Sequence, residues 1–178
     1  SQALIDYLPS DKTVLIIGVN ENSKIFAQEL LKNGFKSFIF ANRTFYKAEM
    51  LAHQYGGKAV GMEKLEEALN EADGVFTSTA KQGFVVDSGM IKRLNEAAAC
   101  PSIFIDMAVP RDIDKSALKA DTRYFDIGNL KVFLEDQKKR QSLDLPQAEK
   151  IIESEAALLD EWTAHQNNNL QIGRASCR

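Results

Sequence analysis

The chain has 178 residues, of which 44% are hydrophobic and 26% charged, and this predicts one soluble domain with room for an appended segment. Its net charge of −3 argues against direct nucleic-acid binding by this segment. No apolar run approaches the roughly 20 residues of a membrane span, and the first residues lack the features of a secretory signal peptide. Because the chain begins with Ser1 rather than Met, we expect it to begin inside a longer protein or after processing.

The two cysteines, Cys100 and Cys177, are far apart and belong to no recognisable disulfide or metal-binding motif. Cys100 directly precedes Pro101 at the start of an apolar run, which is typical of an ordinary buried thiol. We therefore expect a cytoplasmic, reducing location and no metal site.

Short apolar runs alternate with amphipathic stretches along most of the chain. The apolar runs predict strands at residues 14–17, 37–41, 58–61, 75–79, 102–106 and 124–126. Apolar residues at helical spacing predict the intervening helices, the first beginning near Ser23 and another capped by Asp87 or Ser88. This alternation predicts an α/β fold, a Rossmann-like doubly wound parallel sheet of about six strands.

The strand pattern ends near Asn129, where a long polar and amphipathic stretch begins. Pro146 is expected to kink or split the helix there, because proline lacks a backbone donor and clashes with the preceding turn. We predict a lead-in over residues 1–12, a nucleotide-binding domain over 13–128, a helical extension over 129–165 and a disordered tail over 166–178. A helix of this length usually packs on another domain or on a second copy of the chain.

The turn after the first strand, GVNENS at residues 18–23, carries the strongest functional signal. Free backbone N–H groups and the positive end of the following helix face this turn, where a doubly wound sheet binds the pyrophosphate of a dinucleotide. The pattern G-x-G-x-x-G is incomplete, because Asn20 and Ser23 stand at its second and third glycine positions. The turn contributes the candidate cofactor-binding residues Gly18, Val19, Asn20, Glu21, Asn22 and Ser23.

The second strand is followed by Asn42, Arg43 and Thr44, where a site for NAD would carry a carboxylate. The Arg43 guanidinium can bind a 2′-phosphate bidentately and stack on adenine, while its two neighbours add hydrogen bonds. Lys47, one helical turn later, adds positive charge. These four residues favour NADP over NAD. The alternative is that residues 42–44 only cap the following helix.

Two more strand ends complete the candidate site. The small residues Ser78, Thr79 and Ala80 follow the fourth strand, and they let a ribose and a nicotinamide pass close to the backbone. After the fifth strand, Ala108 and Val109 are candidates for an apolar wall beside the nicotinamide, with Pro110 fixing the turn and Met107 preceding it. In the same segment Arg111 and Asp112 can form a local ion pair, and Asp114 is expected to cap a short helix.

No catalytic residue is predicted. His53 is interpreted as structural because it lies beside the apolar stripe of its helix, and His165 lies near the predicted end of the helical extension. We find no Ser-His-Asp set and no acid–base pair on converging strand ends. The chain therefore holds a cofactor site without visible catalytic groups.

Two motifs carry a resemblance to a known family: ANRT at residues 41–44 and DMAVPRDID at residues 106–114. Together they resemble glutamyl-tRNA reductase, and the likeness extends from about Thr13 to Trp162. It includes STA at 78–80, YFDI at 124–127 and AEKIIESE at 148–155. The Asn-Arg-Thr turn alone is weak, because shikimate dehydrogenases carry a similar one.

The resemblance implies that this chain is the NADPH-binding domain, with the start of a helical dimerisation region, of an enzyme of tetrapyrrole (porphyrin) biosynthesis. In that family another domain binds glutamyl-tRNA and forms a thioester through its cysteine, and NADPH reduces the thioester to glutamate-1-semialdehyde. Cys100 does not match that nucleophile. The resemblance therefore implies an oxidoreductase that is a cytoplasmic homodimer at full length, and a fragment that is inactive by itself.

The main departure from the family is Asn20, because a glycine there would let the pyrophosphate approach the backbone. We expect the Cβ and amide of Asn20 to crowd the site, weakening or shifting NADPH binding, although asparagine tolerates left-handed backbone angles. Two other functions stay open. One is a non-catalytic Rossmann-like interaction module with a degenerate cofactor site, and the other is an NADP oxidoreductase of the shikimate dehydrogenase type.

Overall fold

Six strands and five α-helices alternate along the residues that the computed structural model describes, which are 1–129 and 132. The predicted tail over 166–178, and all of the predicted helical extension except residues 129 and 132, lie outside them. In chain order the elements are α1 (Gln2–Tyr7), β1 (Thr13–Ile17), α2 (Glu21–Lys32), β2 (Ser37–Ala41), α3 (Phe45–Tyr55), β3 (Lys58–Val60), α4 (Leu65–Glu71), β4 (Gly74–Thr77), α5 (Ser88–Glu96), β5 (Ile103–Asp106) and β6 (Arg123–Asp126).

All six strands form one parallel sheet in the order β3-β2-β1-β4-β5-β6. The register places Ile17 beside Ala41 and Thr77, and Thr77 beside Asp106. The direction of winding reverses between β1 and β4, and at this reversal an open α/β sheet forms its ligand crevice. The predicted fold class is confirmed.

The central strands are buried on both faces, as their unbroken apolar runs predict. Four consecutive residues of β1, Val14 to Ile17, have no exposed surface, and Phe104 of β5 has none either. On one face Phe26 of α2 stacks on Phe76 of β4, with the ring centroids 4.0 Å apart. Such packing fixes the strand ends rigidly, because a close-packed interior resists small displacements.

Several element boundaries differ from the sequence prediction, those of β1, β3, β5 and β6 by one residue each. The lead-in contains the helix α1, which buries Ala3 and Leu4 and is too short for its periodicity to be evident. α2 begins at Glu21 rather than near Ser23, and β4 ends at Thr77 rather than at residue 79. The predicted cap of α5 is confirmed, because the Asp87 carboxylate accepts a hydrogen bond from the Met90 amide at 2.8 Å.

The sequence predicts a buried thiol at Cys100. Cys100 is only partly buried, and this burial raises the pKa of its thiol. Among the described residues, no helix is long and apolar enough to cross a membrane.

Candidate functional site

Gly18 lies at the carboxyl end of β1, where the backbone of β4 comes unusually close. Its φ is +89°, and a Cβ added to it would lie 2.5 Å from the Ser78 carbonyl oxygen and 2.9 Å from Cγ2 of Thr79. Any larger residue here would therefore be strained in its backbone and would collide with Ser78 and Thr79, which directly follow β4. The tertiary structure thus gives one reason for a glycine at this position, the close approach of the segment that follows β4.

Asn20 is the N-cap of α2. Its Oδ1 accepts a hydrogen bond from the Ser23 amide at 3.2 Å, and the Ser23 hydroxyl accepts one from the Asn20 amide at 2.8 Å. This reciprocal capping box explains why the helix begins earlier than predicted. The backbone of Asn20 is extended, with φ −151°, so its tolerance of left-handed angles is not used.

The same side chain crosses from the turn after β1 to the end of β4. Nδ2 of Asn20 donates to the carbonyl oxygen of Ser78 and lies 3.2 Å from the Ser78 hydroxyl. Nδ2 of Asn22 lies 3.5 Å from that hydroxyl as well. The asparagine at the second glycine position thus joins the two strand ends on either side of the crevice.

The backbone amides of this turn are only partly used. The amide of Val19 donates to Oδ1 of Asn42 at 3.2 Å, and those of Asn20 and Ser23 are engaged in the capping box. Within the described part of the chain, the amides of Glu21 and Asn22 have no acceptor. Two adjacent free N–H groups at the positive end of a twelve-residue helix suit a phosphate.

The turn after β2 and the start of α3 carry two positively charged side chains, Arg43 and Lys47. Asn42 is structural at least in part, because its Nδ2 also donates to the Thr44 carbonyl oxygen at 2.9 Å. Thr44 is the N-cap of α3, yet its side chain makes no capping hydrogen bond. Among residues 1–129 and 132, the exposed side chains of Arg43 and Lys47 have no hydrogen-bond or ion-pair partner. These contacts do not favour the alternative that the whole turn serves only as a helix cap.

Asp106, at the end of β5, organises the loop that follows it. Its fully buried carboxylate accepts hydrogen bonds from three backbone amides, at 3.0 to 3.1 Å, and from two hydroxyl groups at 3.2 Å. The donors are the amides of Ala108, Asp112 and Ile113 and the side chains of Thr77 and Tyr124. Five donors compensate the burial of this carboxylate, so the loop has one well-defined path.

Asp112 is also fully buried, and it holds the turn after β4. Its carboxylate accepts from the Thr79 amide at 2.9 Å and from the Thr79 hydroxyl. The predicted ion pair between Arg111 and Asp112 is therefore wrong. The Arg111 guanidinium lies 3.7 Å from Asp126 and donates to the Ala108 carbonyl oxygen at 3.0 Å instead. The predicted cap at Asp114 is confirmed by a hydrogen bond of 3.1 Å from the Ser116 amide.

Burial raises the pKa of Asp112, more than the hydrogen bonds from Thr79 lower it. Protonation of this carboxyl is thus easier in the folded protein than in the unfolded chain, so the group stabilises the fold fully below its unfolded pKa. That contribution is lost as the pH rises through the raised folded pKa.

We therefore expect a pH-dependent difference between the wild type and Asp112→Asn, which cannot titrate. The free energy of unfolding of the wild type minus that of the variant should fall from acid pH upward and become level above the raised pKa. Urea unfolding at a series of pH values measures it. A difference that grows with pH would contradict the assigned shift.

The other predicted site residues differ in their exposure and in whether they line a depression. Asn22 and Met107 line one open depression of about 180 Å³, which also contacts Phe26 and Phe76. Ala108 is buried with 2% exposure, whereas Val109 is 76% exposed and forms a cis peptide bond with Pro110. Ala80 is exposed at the turn after β4.

The sequence reasoning missed Asp106 and Asp112 as organisers of the site. Their signal was two aspartates six residues apart, one ending a buried strand and one in the loop after it, with small hydroxyl residues at the end of the neighbouring strand. That pattern does not reveal which hydroxyl each carboxylate binds.

Comparisons with known proteins agree with this architecture. The family model described as Shikimate / quinate 5-dehydrogenase matches residues 4–133. Glutamyl-tRNA reductase of Photobacterium profundum is 32% identical over 86% of this chain and 37% of its own length. That of Natranaerobius thermophilus is 36% identical over 85% of this chain and 34% of its own length. The chain thus spans about a third of the length of the curated relatives it matches.

A solved structure of a glutamyl-tRNA reductase is also similar to this chain. Glutamyl-tRNA reductase from Methanopyrus kandleri superposes with a TM-score of 0.71 at 30% identity, covering 90% of this chain and 41% of that one. The chain therefore belongs to the shikimate / quinate 5-dehydrogenase family, and the resemblance to glutamyl-tRNA reductase that its motifs predict is confirmed.

Proposed function

We propose that this chain is the NADPH-binding domain of a glutamyl-tRNA reductase. The observation that carries the proposal is Arg43, which is exposed and free of protein partners in the described residues, at the strand end where an NAD site would carry a carboxylate. A guanidinium binds a phosphate bidentately, whereas a carboxylate there would repel it. This difference supports NADPH over NADH.

The residues present fit a dinucleotide. The free amides of Glu21 and Asn22 are suited to the pyrophosphate. Around the 2′-phosphate, Arg43, Thr44 and Lys47 supply charge and a hydroxyl. The proposed nicotinamide half of the site consists of residues 78–80 and 107–110, beside the depression lined by Asn22 and Met107. When bound, NADPH supplies a hydride, and these residues orient its ring.

The remainder of the proposed enzyme lies outside this chain. We propose that another domain binds glutamyl-tRNA and forms the thioester, which is reduced to glutamate-1-semialdehyde in tetrapyrrole biosynthesis. Residues 13–128 form the cofactor domain, the extension over 129–165 begins a dimerisation region, and the full-length protein is a cytoplasmic homodimer. On this proposal the chain alone binds the cofactor without turning over.

Calorimetric titration of this chain with NADPH and with NADH tests the proposal. We expect NADPH to bind at least tenfold more tightly, since one tenfold step corresponds to about 1.4 kcal/mol of additional phosphate binding. Equal and weak binding of both dinucleotides would contradict the proposed cofactor.

A second candidate is a Rossmann-like interaction module that has lost its cofactor, and the hydrogen bonds from Asn20 to Ser78 favour it. A shikimate-type dehydrogenase is the weaker alternative, because the relatives and the solved structure that are at least 30% identical are named glutamyl-tRNA reductase.

We expect Asn20→Gly to tighten NADPH binding several-fold, because it removes the side chain from the crevice. It should also cost about 1 kcal/mol of stability through the lost bonds to Ser78, since glycine itself is an adequate N-cap. Calorimetry and urea unfolding measure the two effects. Asn33→Gly, at the other end of α2, is the matched control.

If the wild type binds no dinucleotide at millimolar concentration and Asn20→Gly restores binding, the interaction module is favoured.

A further inference from the structure

The carboxylate of Asp112 holds the backbone amide and the hydroxyl of Thr79. That hydroxyl also accepts a hydrogen bond from the Lys81 amide, at 3.2 Å. The backbone amide of Thr79 donates to one carboxylate oxygen at 2.9 Å, and the Thr79 hydroxyl donates to the other. Because these two bonds engage the backbone and the side chain at once, they define the rotamer of Thr79 as well as the path of the turn after β4.

This rotamer has a consequence for the crevice. With the hydroxyl on Asp112, the methyl group of Thr79 faces Gly18, since Cγ2 lies 2.9 Å from the position that a Gly18 Cβ would take. The side of the crevice beside Gly18 is therefore lined by a methyl group and by the Ser78 carbonyl oxygen. Without Asp112, only the 3.2 Å bond from the Lys81 amide would hold the hydroxyl, so the side chain could rotate and the turn could shift.

Asp112 is itself held in place from two directions. Its amide donates to the buried Asp106 carboxylate at 3.0 Å, and its carbonyl oxygen accepts from the amides of Val85 and Val86 at 2.7 and 2.9 Å. On the other side of Thr79, Ser78 accepts from Asn20. A series of hydrogen bonds, joined through the peptide bond between Ser78 and Thr79, thus extends from Asp106 at the end of β5 to the turn after β1.

We propose that Asp112 is a positioning residue for the nicotinamide half of the dinucleotide site, acting through Thr79 rather than by contact with the cofactor. This inference rests on the proposed function. The inference goes beyond the proposed function by dividing the site into two parts. The turn that holds Arg43 has no hydrogen bond to Asp112 among the described residues, so Asp112 is expected to affect only the nicotinamide half. Pre-ordering one half of a site improves the affinity of ligands that reach that half only.

Two ligands separate the halves: NADP⁺, which spans the site, and 2′,5′-ADP, which lacks the nicotinamide ribose and ring. Binding of both is measured by calorimetry for the wild type, Asp112→Ala, Asp112→Asn and Thr79→Val, with urea unfolding of each. Asp121→Ala, which removes an exposed carboxylate, is the control.

We expect Asp112→Ala to weaken NADP⁺ binding about tenfold while 2′,5′-ADP changes less than twofold. Asp112→Asn should recover most of the loss, because its oxygen can accept from the Thr79 amide while its Nδ2 donates to the hydroxyl. If Asp112→Ala fails to fold, Thr79→Val replaces it in the test. This variant should weaken binding of NADP⁺ but not of 2′,5′-ADP. An equal loss for both ligands, or an Asn variant as weak as the Ala variant, would overturn the inference.

Failure of the proposed function has a different signature. A wild type that binds neither ligand overturns the proposed function and this inference with it. A wild type that binds both, with no selective loss in the variants, overturns the inference alone. The nuclear Overhauser effect between the Thr79 methyl and Gly18 gives a reading without cofactor. It should be present in the wild type and weakened in Asp112→Ala, and its full persistence would also overturn the inference.

Discussion

Replacing Arg43 by alanine should weaken NADPH binding by about 2 kcal/mol, or about 30-fold, and leave NADH binding unchanged. The expected loss is large because the guanidinium is exposed and free of internal partners in the described residues, so its charge is available to a phosphate. Only NADPH carries the 2′-phosphate. Titration of wild type and variant with both dinucleotides gives the result as a change in the ratio of their affinities.

Lys36→Ala is the matched control for Arg43→Ala. It also removes one exposed positive charge, but it lies before β2, at the opposite edge of the sheet. A general effect of net charge on an anionic ligand would appear in both variants and would decline with added salt. If Lys36→Ala reduces NADPH affinity as much as Arg43→Ala does, Arg43 is not the determinant of cofactor choice.

Gly18→Ala should cost about 2–5 kcal/mol of folding stability and abolish dinucleotide binding. The left-handed backbone accounts for about 1–2 kcal/mol of this, and the collision with β4 for about 1–3 kcal/mol. The collision is difficult to relieve, because the nearest atom, 2.5 Å from the added Cβ, is the Ser78 carbonyl oxygen in a sheet packed on both faces. Urea unfolding measures the loss of stability.

Gly83→Ala separates the two costs in Gly18→Ala. Gly83 has nearly the same φ, +83°, but a Cβ added there meets no atom within 4 Å. It should therefore show the backbone cost alone, about 1–2 kcal/mol. Similar losses in the two variants would mean that β4 yields to the added methyl group, and the close approach at Gly18 would then lose its explanation.

Asn20 shows where local reasoning about the site was incomplete. The sequence indicated correctly that this position departs from the glycine pattern, and it led us to expect crowding at the pyrophosphate. In the structure the side chain caps α2 and reaches Ser78, while the amides of Glu21 and Asn22 stay free. The acceptor of its amide group is 58 positions away in the sequence, so no local pattern could have revealed it.

The sequence by itself determined the order of strands and helices, the parallel sheet and the strand ends that form the candidate site. Those features depend on apolar periodicity and on residues close together in the chain, such as ANRT at 41–44. Only the tertiary structure decided which partners the polar side chains take: Asp112 binds Thr79 rather than Arg111, and Arg111 lies beside Asp126. The physical reason is that these contacts join neighbouring parallel strands, whose ends meet in space although a helix or a long loop separates them in sequence.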